Sequence, residues 1–76
     1  MLIFSKDRKK VIDCVSVYVS RNFGGGRDGK FCIVGSGSFG TSIDGILANY
    51  PDEKTAMDEL EKVFSAFENG AKAYRL

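Results

Sequence analysis

Cys14, Cys32, the glycine-rich run Gly35-Ser36-Gly37-Ser38-Phe39-Gly40 and seven Lys/Arg among the first 31 residues are the features from which any chemistry here would be built. Both thiols stand among apolar, strand-forming neighbours (Ile12-Asp13-Cys14-Val15 and Lys30-Phe31-Cys32-Ile33-Val34). Such settings suit small buried hydrophobes, with a redox pair or a reactive thiol as the alternative. There is no histidine in the 76 residues. That removes Ser-His and Cys-His pairs, a histidine base tuned near neutral pH, and mixed Cys/His zinc sites. Two cysteines cannot close a four-thiolate cage. Asp7, Asp13, Asp28 and Asp44 are scattered, without calcium-loop spacing. The sequence therefore predicts no catalytic residue, no metal site and no cofactor, and it reads as a non-enzyme.

The run from Gly35 to Gly40 fits G-x-G-x-x-G and looks like the phosphate-covering loop of protein kinases. That loop works only with a strand lysine, a catalytic aspartate and a metal-binding aspartate, and none of those motifs follows. No helix opens directly after the glycines, as a dinucleotide fingerprint requires. A hairpin turn is the expected role, with a weak anion-binding nest as the alternative.

Charge is unevenly placed. Residues 1–31 hold seven Lys/Arg and three Asp, whereas residues 32–76 hold four Lys/Arg and seven Asp/Glu. Lys6, Arg8, Lys9 and Lys10 cluster at one turn; Arg21, Arg27 and Lys30 flank a glycine loop beside Phe23 and Phe31. Cations near exposed aromatics hold single-stranded nucleic acid by phosphate pairing and base stacking. A pI of about 7.7 is low for a committed binder, and lysines at a sheet edge also discourage edge-to-edge pairing. The same asymmetry would serve a homodimer, an acidic helix face on one copy meeting a basic strand edge or turn on another. Tyr18 and Tyr50 are candidate interface aromatics, with half-burial of both within the monomer as the alternative. The candidate interaction residues are thus Tyr18, Arg21, Phe23, Arg27, Lys30 and Tyr50.

The elements that must position them are legible in part. Leu2-Ile3-Phe4 reads as a first strand. From Val11 to Val19 a period of two sets Val15, Val17 and Val19 toward a core and Tyr18 to the other side. Phe23 to Gly29 carries four glycines and reads as a loop, Phe31 to Val34 as a third strand, and Gly35 to Ser38 as a second break. Thr41 to Ala48 reads as a fourth strand with a bulge or kink at Asp44-Gly45. Short connections favour an antiparallel meander. Asp52, after Pro51, is a good N-cap, and Glu53 adds first-turn negative charge. Ala56, Leu60, Val63, Phe64 and Phe67 form one apolar stripe with Met57 at its edge, and Asn69-Gly70 supplies a left-handed stop. The helix should run for about 17 residues and cover the sheet. Ala71 to Arg75 follows as a short final strand or tail. The expected fold is α+β: an antiparallel sheet of four or five strands with one C-terminal helix across one face, as a single domain over residues 1–76.

Two segments resemble a known group. Met1-Leu2-Ile3-x-Ser5-x-Asp7 and Tyr50-x-Asp52-Glu53-x-x-Ala56-x-x-x-Leu60, with the helix end Phe67-x-Asn69-Gly70 and Tyr74, are similar to a loose set of short, uncharacterised proteins from Firmicutes and their prophages. The resemblance covers about half the chain, at its two ends. It implies the same α+β layout and a bacterial cytoplasmic or phage context, and it carries no activity over. The middle departs from that pattern, since residues 22–45 hold eight of the nine glycines.

Composition sets the remaining bounds. With 43% hydrophobic and 28% charged residues, the chain is a small globular domain that buries roughly 60% of its unfolded surface. Its apolar start, Met1 to Phe4, precedes the charges from Lys6 to Lys10, the reverse of a signal peptide. The uncharged stretch from Phe31 to Ile43 is broken by Gly and Ser and does not read as a membrane span. A cytoplasmic interaction or accessory module acting on a protein partner is the expected role, with nucleic-acid association as the alternative.

Overall fold

The computed structural model describes residues 1–21, 30–37 and 44–76. Its elements follow the order β1 (Leu2–Phe4), β2 (Val11–Arg21), β3 (Phe31–Gly37), β4 (Asp44–Tyr50), α1 (Glu53–Glu68) and β5 (Ala73–Arg75). The strands form one sheet, ordered β4-β3-β2-β1-β5, and α1 packs against β2, β3 and β4. The α+β architecture expected from the sequence is the observed one. β1–β2, β2–β3 and β3–β4 are antiparallel, whereas β5 runs parallel to β1. That exception has a topological cause: α1 carries the chain from the β4 edge across to the opposite edge, and a crossover of this length permits parallel entry.

The sheet is bent, and β2 does the bending. Val11 to Asp13 pair with β1, while Cys14 to Arg21 pair with β3, and the register slips between Cys14 and Ser16. A bulge of this kind bends the strand and sharpens its twist. As a result the turn after β1 reaches back to β4, where the Lys6 N–H donates to the Leu47 carbonyl at 2.8 Å.

The core lies inside this bend, beneath α1. Ile3, Cys14, Ile33, Leu47, Ala48, Tyr50, Ala56 and Val63 form one buried cluster. β3 runs through Gly35 to Gly37, where a break was expected. The close packing explains why: a Cβ on Gly35 would stand 2.6 Å from the Cys14 Sγ and 2.8 Å from a Leu47 methyl. The missing side chain here lets neighbours close over a strand rather than ending one. β4 runs to Tyr50, two residues beyond the expected end. Its irregularity falls opposite Ile33 and Val34, while Gly45 pairs regularly with Gly35. Residues 41–43 of the expected fourth strand, and the expected loop from Phe23 to Gly29, lie outside the described residues.

α1 is bounded as its sequence dictates. The Asp52 carboxylate accepts the Thr55 N–H at 2.7 Å, satisfying one free amide of the first turn. At the other end Gly70 takes φ 84°. Its N–H donates to the Phe67 carbonyl at 3.0 Å, and the Ala71 N–H to the Ala66 carbonyl at 2.9 Å. This paired closure is the Schellman arrangement, which a residue with a side chain disfavours.

Candidate functional site

The apolar stripe of α1 is wider than the core beneath it. At about 100° per residue, Ala56 and Val63 form one edge, and both are buried. Met57 and Phe64 form the other edge, some 80–100° away, and stay exposed along with Phe67 on the last turn. Phe64 and Phe67 leave 56% and 61% of their surface open. The expectation that the whole stripe seals the sheet is therefore corrected. A thin, bent sheet accommodates one row of the helix, and Leu60 is half-buried between the two rows.

The bulge in β2 completes the feature. Val15 was expected to face the core with Val17 and Val19; those two are half-buried against it, whereas Val15 is 69% exposed. Its position inside the register slip removes it from the alternation that buries its neighbours. Val15 and Val17 on one side, and Met57, Leu60, Phe64 and Phe67 on the other, wall an open apolar groove of about 440 Å³. Contiguous open apolar surface of this kind marks a binding site more often than does a scattered exposed residue.

The rim of the groove is acidic. Glu61 lines it. Glu53 and Glu68 lie along the same helical flank, within about 80° of Glu61 by the helical period. Both lysines of α1 are already engaged, Lys54 with Asp58 and Lys62 with Glu59, each at 3.2 Å. Glu53, Glu61 and Glu68 have no ion-pair partner among the described residues. The net result is a greasy trough lined by the Glu61 carboxylate, with Glu68 two turns further along the same flank, while Glu53 stands beside Arg21 and Phe31 at the other end of the helix.

The residues nominated from the sequence lie elsewhere. Tyr18 is exposed, on the sheet face away from α1, beside Val34 and Ile46 in cross-strand register. Arg21 and Lys30 are exposed at the β2–β3 end, and the Arg21 guanidinium lies over the Phe31 ring at 5.9 Å. Tyr50 is a correction. It is 3% exposed, a core residue rather than a surface aromatic, and its ring also carries the Lys6 ammonium at 4.8 Å. Burial, then Glu59 and Tyr74, pushes its hydroxyl up to about 12. Phe23 and Arg27 lie outside the described residues. The structure thus brings Arg21, Lys30 and Tyr50 to one end of the sheet, where Phe31 pairs with both Arg21 and Tyr50, but buries Tyr50 in the core and leaves Tyr18 on the opposite face.

The thiols are apart. Cys14 faces α1 and Cys32 the opposite side of the sheet, and both are free and buried. Desolvation raises each thiol above its ordinary value. Among the described residues no group of three or more His, Cys, Asp or Glu could hold a metal ion, and no helix is long and apolar enough to cross a membrane.

Sequence reasoning missed the groove because it assigned Phe64, Phe67 and Val15 to the core. A signal was present: Met57, Leu60, Val63, Phe64 and Phe67, five large apolar residues on one 16-residue helix, span a wider stripe than one sheet face covers. Compared with family models, with curated proteins and with solved structures, the chain has no match in any of the three.

Proposed function

We propose that this protein is a non-enzymatic interaction module that receives an apolar segment of a protein partner in the groove between α1 and the bulged middle of β2. The observation that carries the reading is the exposure of Val15, Met57, Phe64 and Phe67 around one depression. Leaving these side chains in water forgoes stabilisation of about 25 cal/mol per Å² of apolar surface, which a partner would recover. Phe64 and Phe67 together leave roughly 200 Å² open, which suits a modest, reversible contact. The acidic rim favours a segment with Lys or Arg beside its apolar residues. Two unpaired thiols suit a reducing compartment such as the cytoplasm.

Nucleic-acid association is less favoured. The guanidiniums of Arg8 and Arg75 cover the Phe4 ring at 5.2 and 5.7 Å, and Arg21 covers Phe31. These contacts occupy ring faces on which bases would stack.

Titration with a fluorescent amphipathic helix of leucine and lysine tests the proposal. The wild type should bind it, and Phe64→Ser, a surface change, should weaken binding by roughly tenfold or more. Equal affinity for both proteins, or no binding by either, would overturn the groove as the site.

A further inference from the structure

We propose that the occupant of this groove is a second copy of the same chain, offering the outer face of β1 and β2, so that copies associate head to tail. The proposal rests on the groove being a protein-binding site and adds the identity of what binds.

The argument begins with a second exposed apolar patch. Ile3 and Ile12 point into the core, so Leu2, Phe4 and Val11 occupy the opposite face of the sheet. Leu2 and Val11 are exposed. Beside them stand Arg8 and Arg75, whose guanidiniums flank the Phe4 ring and have no carboxylate partner among the described residues. Asp13 also lies on this face, but across from Leu2, at the end away from Arg75. One face of the molecule is therefore apolar with free cations, and the groove is apolar with free carboxylates.

A two-fold groove-to-groove dimer would instead bring Glu61 and Glu68 of one copy toward those of the other. Like charges facing across an interface are costly, so that arrangement is disfavoured. Groove to outer face pairs opposite signs and covers both apolar patches at once. Such a contact is heterologous: each copy keeps one free groove and one free outer face, and growth continues into a ring or a short filament. Both patches are small, which places the association at the weak, transient end of the range.

Sedimentation velocity from about 10 μM to about 1 mM, at low and at high salt, reads the proposal directly. The expected result is a mean mass that rises from 8.3 kDa by roughly twofold or more with concentration and falls back when salt screens the charges. E61K/E68K and R8E/R75E should each remain monomeric. Mixing them should restore association, because each reversed face then meets a complementary one on the other variant; a mere folding defect would not be rescued. A wild type that stays monomeric at low salt throughout, or an R8E/R75E protein that associates as well as wild type, would overturn head-to-tail assembly. If the wild type stays monomeric yet binds the leucine–lysine helix, self-association fails alone; if it does neither, the groove reading fails with it.

Discussion

Gly35 and Cys14 face each other so closely that a methyl group on the glycine would stand 2.6 Å from the cysteine sulfur. Leu47 presses on the same spot from β4 at 2.8 Å, so no neighbour can move aside freely. Gly35→Ala should lower stability by about 1–3 kcal/mol through overpacking. Adding Cys14→Ala should return part of that loss, giving a non-additive double-mutant cycle in urea unfolding. Additive losses would mean that the two residues do not meet.

Alkaline pH should find a weak point at Tyr50. Its hydroxyl titrates near 12 in the folded chain against about 10 unfolded. A raised native pKa gives its stabilisation in full below the unfolded value and loses it as the pH climbs from 10 toward 12. The loss amounts to roughly 2–3 kcal/mol. Thermal unfolding followed across that range should show it, and Tyr50→Phe should flatten this limb while keeping the ring.

Both cysteines should resist modification in the native state. Burial raises the two thiols, so the reactive thiolate is scarce at neutral pH. Ellman's reagent should label Cys14 and Cys32 slowly and only through opening of the fold, and at once in denaturant. Rapid labelling of one of them in the native state would contradict its buried position.

The two rows of α1 should separate energetically. Val63→Ala removes buried methyl groups and should cost about 1–3 kcal/mol. Phe64→Ser, one residue away on the exposed row, should change stability by less than about 1 kcal/mol. Urea midpoints of the two variants provide the comparison.

This contrast shows which features one dimension carries. The start and stop of α1 depend on neighbours in sequence, Asp52 with Thr55 and Gly70 with Phe67, and were legible at once. The period of two in β2 was legible for the same reason. The slip at Val15, the passage of β3 through Gly35 and the burial of Tyr50 depend instead on which strand lies opposite and how closely. Local pattern assigns an apolar residue to a face; it does not say whether anything waits on that face to cover it. The groove arose from that gap, since its residues have core character and no core above them.

The parallel pairing of β5 with β1 joins segments separated by nearly the whole polypeptide. During synthesis one edge of β1 must wait, unpaired, until residues 73–75 leave the ribosome, and closing so distant a contact is slow. Completion of the sheet is consequently a late event, and a nascent chain halted inside α1 would display a bare strand border to the cell's chaperones.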